Sequence, residues 1–160
     1  MTVLYGKYRG KVVGNKDPTM SGKLQVTAPA ALGVAQVWAL PCVPYAGAGV
    51  GLFALPPVGA NVWVEFEAGN PESPIWSGCF WGLGELPPTA RLPTTKVLKT
   101  DTATITIDDL PGAGGVTIET AAGQKISITA TAVEIANGMG ADIKLSAKTV
   151  SINSDALEVT

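Results

Sequence analysis

Apolar and polar residues alternate along most of this chain, and the alternation changes character part of the way along. In the first part, short apolar-alternating segments are separated by clusters of Gly, Pro, Asn and Asp, which is typical of strands and their turns. Five strands are predicted, at residues 5–15, 22–27, 37–43, 61–67 and 74–81. Five short strands in sequence favour a small closed barrel of the OB type, because closure removes unpaired strand edges.

The second part repeats one pattern, in which two aliphatic residues at positions i and i+2 are flanked by Thr, Ser, Ala, Lys or Glu. Both members of a pair lie on the same face of a strand. The seven pairs are Ile105/Ile107, Val116/Ile118, Ile126/Ile128, Val133/Ile135, Ile143/Leu145, Val150/Ile152 and Leu157/Val159. No aromatic residue lies in this part and no helical period is present, so nothing predicted in the chain covers the apolar face. An uncovered apolar face of this length would aggregate.

Self-association is the solution that this pattern favours. Three chains around one axis would form a triangular prism of β-strands filled with Ile, Val and Leu, and the short spacings between pairs suit the tight corners of a β-solenoid. The first six pairs, from Ile105 to Ile152, are therefore predicted to form the trimer core. The last pair, Leu157 and Val159, would leave a small apolar surface at the end of the prism, where we expect a separate tip protein to dock.

A change of composition marks the boundary between the two parts. All aromatic residues lie at or before Trp81, and eleven of the twelve prolines occur by Pro93. Residues 86–93 (LPPTARLP) suit neither a helix nor a central strand, because proline lacks the N–H donor and fixes φ. We expect a barrel at residues 1–86, a Pro-rich linker at 87–100 and the prism at 101–160.

Charge and composition exclude several kinds of function. Residues 1–100 carry eight Lys/Arg against five Asp/Glu, whereas residues 101–160 carry three against eight. The acidic second part disfavours nucleic-acid binding, which depends on phosphate contacts. The chain has no histidine, which excludes catalytic triads, zinc sites and His-based acid–base chemistry, and the adjacent Asp108 and Asp109 fall at a predicted turn. We expect no catalytic residue, no metal and no cofactor.

Two other features bear on location and on covalent structure. The N-terminus leads directly into strand-like sequence without the apolar core of a signal peptide, and no apolar stretch approaches the ~20 residues that span a bilayer. Synthesis in the cytoplasm is expected. Two cysteines, Cys42 and Cys79, are too few for a disulfide framework. Their apolar neighbours favour buried free thiols, and a bridge between them stays open.

Several segments resemble the baseplate-assembly spike family of phage tails, baseplate assembly protein V. The resemblance covers nearly the whole chain and is fairly specific over residues 38–78. It lies in residues 8–15 (YRGKVVGN), 22–26 (GKLQV), 38–47 (WALPCVPYAG), 55–67 (LPPVGANVWVEFE), 69–71 (GNP), 74–78 (PIWSG), 151–153 (SIN) and 156–159 (ALEV). The resemblance implies an all-β protein, with an N-terminal five-stranded OB-fold barrel followed by a C-terminal intertwined trimeric β-helix, as in the spike part of type VI secretion VgrG proteins.

The resemblance also implies a function and partners. It predicts a structural, non-enzymatic central spike of a contractile tail or injection machine, located in the virion baseplate or an equivalent particle, that plugs the hub and pierces the target envelope. Some relatives carry the hub in the same chain, so its absence here implies a separate hub protein at the barrel end. The tip protein would be of the PAAR type. The His-X-His iron site of some phage spikes has no counterpart, since histidine is absent.

One alternative from another class stays open. Lys7, Arg9 and Lys11 share one face of the first predicted strand, and OB barrels that bind single-stranded nucleic acid combine basic grooves with stacking aromatics. An OB-fold nucleic-acid-binding protein with a trimerising tail would account for this face. It would leave the aliphatic repeat unexplained, so no nucleic-acid partner is expected, and Trp38, Trp63, Trp76 and Trp81 are interpreted as barrel core or partner contacts.

Overall fold

A computed structural model describes residues 3–90, 92–154 and 156–159, with the side chains of residues 158 and 159 outside the description. The chain divides into two compact units, Met1–Glu85 and Leu86–Thr160. Apart from one four-residue helix and a 3-10 turn, the described regular structure is β-strand, which confirms the all-β class.

The first unit is built on a closed five-stranded barrel. Its strands are β1 (Tyr8–Gly14), β2 (Leu24–Thr27), β3 (Gln36–Pro41), β6 (Asn61–Phe66) and β7 (Pro74–Cys79), in the spatial order β1-β2-β3-β7-β6. All neighbours are antiparallel except β3 and β7, whose parallel pairing closes the barrel. These are the five strands that the sequence predicts, and the barrel is confirmed.

Alternation fills the barrel, because every second side chain of a strand points inward. The buried core consists of Val12, Leu24, Val26, Ala28, Ala39, Val62, Val64, Phe66 and Trp76. Gly10 lies where β1 passes close to its neighbours: a Cβ placed there would lie 2.6 Å from the Thr27 carbonyl oxygen and 2.8 Å from a methyl of Val64. Only a residue without a side chain fits that crossing.

Three short elements lie outside the barrel. Helix α1 (Pro29–Leu32) follows β2, a 3-10 turn (Glu67–Gly69) follows β6, and a two-stranded hairpin joins β4 (Ala46–Gly47) to β5 (Val50–Gly51). Gly47, Gly49 and Gly51 lie in this hairpin, where Gly49 has a φ of 74°, in the left-handed region that glycine adopts readily.

The second unit is one antiparallel sheet of eight strands paired in chain order. The strands are β8 (Thr95–Lys99), β9 (Ala103–Asp108), β10 (Gly115–Thr120), β11 (Lys125–Thr129), β12 (Ala132–Ala136), β13 (Asp142–Ser146), β14 (Thr149–Ile152) and β15 (Leu157–Val159). Strands that are neighbours in the described sheet are therefore also neighbours in the sequence. The predicted linker at residues 87–100 contains β8, which begins two residues after the last proline of the run, where backbone donors are again continuous.

The connections between strands differ in length. On one edge, β11–β12 and β13–β14 are joined by two residues each, at 130–131 and 147–148, while β9–β10 has a six-residue connection at 109–114. On the other edge, two longer turns touch: a Cβ at Gly138 would lie 2.6 Å from the carbonyl oxygen of Gly123. Glycine at 138, with a φ of 73°, thus allows these turns to stack one above the other.

The cysteines differ from expectation. Both are free and both have exposed side chains, so the prediction of buried thiols is wrong. Cys42 follows the last residue of β3 and Cys79 ends β7, and at strand ends a side chain is not enclosed by the barrel. Among the described residues, no helix has the length and apolar character needed to cross a membrane.

Candidate functional site: an uncovered apolar face

The aliphatic pairs of the second unit form two continuous rows across its sheet. In the first row, residues directly opposite one another on successive strands are Leu98, Ile105, Ile118, Ile126, Ile135, Ile143, Ile152 and Leu157. In the second row they are Lys96, Ile107, Val116, Ile128, Val133, Leu145, Val150 and Val159. The register is unbroken over all eight strands, so both rows lie on one face, called here the apolar face.

The apolar face is exposed although it is the more hydrophobic of the two. Apart from Val116, which is only partly exposed, its Ile, Leu and Val side chains from Ile105 to Leu145 keep between 36% and 51% of their surface open, and Leu98 keeps 62%. The buried residues of this sheet are small polar ones on the opposite face: Thr104, Ser127 and Ser151. They are covered because longer side chains flank them on the neighbouring strands. The burial pattern is therefore inverted relative to a self-sufficient sheet.

The opposite face, called here the polar face, carries its charges in complementary register. Glu119 lies directly opposite Lys125, and Glu134 directly opposite Lys144. Directly opposed unlike charges stabilise a strand pair modestly, and like charges would destabilise it. This arrangement is typical of a solvated surface. The two faces therefore differ in chemistry, one charged and one apolar.

A shallow groove of about 600 Å³ lies on the apolar face along the first row. Its floor is formed mainly by Ile118, Ile126, Ile135, Ile143 and Ile152, and its wall by the turn residues Asn137 and Asn153. Lys125 and Asp142, which begin β11 and β13, also line the groove. The groove has the chemistry of a packing surface rather than of a catalytic cleft.

The structure places all twelve predicted core residues, Ile105 to Ile152, on the apolar face. Leu157 continues the first row and is 56% exposed. Val159 pairs through its backbone with Val150, while its side chain lies outside the described residues. Whether these residues meet other chains stays a prediction.

Sequence reasoning missed Leu98 as a member of this face. Its strand has no i, i+2 aliphatic pair, because the corresponding position of the second row is Lys96, whose Nζ pairs with the Asp109 carboxylate. The available signal was its position, seven residues before Ile105. The aliphatic part of the second row thus begins one strand later than that of the first row, at Ile107.

The basic face of the barrel is a second candidate. Arg9 lies opposite Trp63 on β6, and its guanidinium stands 5.5 Å from the Trp63 ring and 5.0 Å from the Phe80 ring, with the rings 4.7 Å apart. Lys7 pairs with Glu65 and donates to Ser77. A nucleobase would need a free aromatic face for stacking, and here Arg9 occupies it. Of the four tryptophans, Trp76 lies in the core and Trp81 is exposed.

Catalytic and metal chemistry find little support in the described part of the chain. No group of three or more Cys, Asp or Glu side chains there is placed to hold a metal ion. Asp108 accepts a hydrogen bond from the Leu110 N–H at the turn, and Asp109 is the partner of Lys96. Both predicted turn aspartates therefore have local structural partners.

Two protein-family models match the chain, one in each unit. Residues 8–81 match the OB domain of type VI secretion system and phage-baseplate injectors. Residues 95–158 match the C-terminal trimerisation domain of phage baseplate protein V. No curated protein is significantly similar to the chain. The second match ends within β15 and begins at β8, so it spans the whole sheet that carries the apolar face.

Proposed function

This chain belongs to the phage baseplate assembly protein V family, which includes spikes of type VI secretion systems, and on that premise we propose that it forms the central spike of a contractile injection machine. Both matched domains are structural parts of a baseplate, and the second supports a homotrimer. The observation that carries the proposal is the uncovered apolar face. Three copies of a sheet with one apolar and one charged face make a filled shaft with a hydrated outside.

The dimensions of the strands favour three chains. A strand of five residues spans roughly 16 Å, and packed sheets lie roughly 10 Å apart, so each side chain reaches roughly 5 Å from its own sheet. The centre of a triangle with 16 Å sides lies about 5 Å from each side, which one layer of aliphatic side chains fills. A square of the same strands would leave its centre about 8 Å away and empty. The twelve core residues are assigned to this interior.

The two edges of the sheet suit the corners of such a prism. In a ring of three, one edge of each chain meets the other edge of the next, so the contact is heterologous. The two-residue turns of β11–β12 and β13–β14 would then meet the edge where the turns of Gly123 and Gly138 stack. Whether the strands also interwind stays a prediction, since their ladder hydrogen bonds are satisfied within each chain.

The remaining parts of the proposal concern the two ends of the spike. A separate hub protein would hold the barrel end, for which Lys7, Arg9 and Lys11 provide a basic surface. A small tip protein of the PAAR type would dock at β15, where Leu157 is exposed and Val159 completes the second row. On contraction the spike would transmit force to the target envelope. Its role would be structural and would require neither cofactor nor catalysis.

The test uses particles that carry this chain. Deleting its gene should give particles without a central tip density in electron cryo-microscopy, and the wild-type gene supplied in trans should restore both the density and the killing or infection of target cells. Particles complemented with Thr129→Asp, on the polar face, should behave like wild type, and particles complemented with Ile128→Asp should not. A normal tip density in the deletion particles would refute the proposal.

A further inference from the structure

The β4–β5 hairpin exposes an unusually apolar surface in the barrel unit. Tyr45, Val50, Leu52 and Phe53 keep 59%, 54%, 56% and 79% of their surface open. A groove of about 330 Å³ lies beside them, lined also by Met20, Val43, Leu55 and the core residue Trp76. A two-stranded ribbon is marginally stable by itself in water. The hairpin is therefore a surface that needs a partner to be held.

The segment of sequence that contains this hairpin carries no charge: between Lys23 and Glu65 the chain contains no Asp, Glu, Lys or Arg. The charged group nearest in the hydrogen-bond network of the groove is the Asp17 carboxylate, which accepts a hydrogen bond from the Ser21 hydroxyl. Threefold symmetry brings identical residues together near an axis, and identical charges there would repel. The hairpin is a surface that can meet copies of itself without such repulsion, in contrast to the basic face with Lys7 and Lys11.

The trimer supplies those copies at high local concentration. The nine residues between Glu85 and Thr95 span at most about 30 Å when fully extended. Modules tethered at that range meet at effective concentrations of the order of millimolar, so even a weak apolar contact is populated. A patch too small to hold two free barrels together can thus be occupied within the trimer.

We propose that the β4–β5 hairpins of three copies of this chain pack against one another around the threefold axis, burying Leu52 and Phe53. The inference rests on the trimer of the proposed function and adds a second contact between chains, made by the barrels. In this arrangement the hairpin contacts other copies of the chain, and the basic face with Lys7 and Lys11 stays free to contact the hub protein.

Cysteine cross-linking of the full-length protein tests the contact. Cys42 and Cys79 are first replaced by Ser, since both are exposed and free. Ala48→Cys then places a thiol at the hairpin tip, and Val34→Cys is the matched control at a fully exposed position. Val34 precedes β3 and the hairpin follows it, and β3 itself spans roughly 17 Å. Light scattering of each variant establishes the trimer before oxidation.

Mild oxidation at low protein concentration should link two of the three chains in Ala48→Cys trimers at least tenfold faster than in Val34→Cys trimers. Equal rates, or no linkage in a protein whose mass is that of a trimer, would overturn this inference and leave the proposed function standing. A monomeric mass would overturn the proposed function instead.

Hydrogen exchange gives a second readout without cysteines. The Leu52 amide donates to the Tyr45 carbonyl at 2.9 Å, and its exchange in the wild-type trimer should rise at least tenfold in Phe53→Ser and stay unchanged in Val34→Ser. Protection that arises only when the hub protein is added would assign the hairpin to the hub and refute self-contact.

Discussion

Replacing Ile128 with Asp perturbs the centre of the apolar face. Ile128 lies in the second row on β11, directly between Val116 of β10 and Val133 of β12. In the single chain it keeps 51% of its surface exposed, and in the proposed prism that half is turned toward the axis. We expect the substitution to prevent trimer assembly.

The expected size follows from two contributions. Covering the exposed half of one isoleucine is worth about 1 kcal/mol, half of the roughly 1.5–3 kcal/mol for complete burial of such a side chain. An unpaired carboxylate in the core costs several kcal/mol more per chain. Three chains together lose on the order of 15 kcal/mol. The tightest non-covalent complexes reach only about 20 kcal/mol, so a micromolar trimer should not survive.

Thr129 is the matched control because it is the next residue on the same strand and faces the polar side. Its Oγ1 accepts a hydrogen bond from the Ala132 N–H at 3.1 Å, which an Asp carboxylate can also accept, and donates one to the Ala132 carbonyl at 3.2 Å, which Asp cannot replace. Thr129→Asp should therefore remain a trimer and lose about 1 kcal/mol of stability. Light scattering at micromolar concentration distinguishes the variants. If both variants assemble, or if neither does, the assignment of inside and outside is wrong.

Two further predictions concern the barrel. Partial desolvation raises the pKa of Asp17, but hydrogen bonds from Thr19, Ser21 and Lys23 outweigh this effect and hold the pKa well below its usual range. The lowered pKa stabilises the folded barrel at pH values above the ordinary pKa near 3.9. This stabilisation is lost as pH falls toward the pKa of the folded state. The thermal midpoint should therefore drop more steeply below pH 4 in wild type than in Asp17→Asn, and parallel slopes would contradict this. Gly10→Ala should destabilise the barrel by about 1–3 kcal/mol, because its Cβ would meet the Thr27 backbone at 2.6 Å. Gly14→Ala, whose Cβ would meet the movable Oε1 of Gln25 at 2.9 Å and its Cβ at 3.3 Å but no backbone atom, should cost less in the same urea titration.

The barrel could be predicted because its strands alternate clearly. In β6, residues Val62, Val64 and Phe66 are buried and the residues between them are partly exposed, as the pattern indicates. The β4–β5 hairpin was missed because its strands have two residues each and consist of Ala, Gly and Val, which give no alternation to detect. The exposure of Cys42 and Cys79 could not be predicted from apolar neighbours, since it depends on where each strand leaves the barrel.

The candidate site was predictable for a different reason. The two members of every aliphatic pair are separated by one residue, so the residues of the apolar face can be identified strand by strand from Ile105 onward. The register that joins them into two rows depends on turn lengths and glycine contacts such as that between Gly123 and Gly138. These are properties of the folded backbone. Pairing of β8 through Leu98 and Lys96 has no repeat signal and required the structure.

The unbroken register also makes the length of this sheet modular. Each strand adds roughly 4.8 Å in the direction of the ladder hydrogen bonds, so eight strands extend over roughly 34 Å. Because the turns preserve the two rows, one more antiparallel strand pair would lengthen the sheet by about 10 Å and leave the position of every existing side chain unchanged. The length of the sheet can therefore change in evolution by duplication or loss of strand pairs, and the packing of the other strands stays the same.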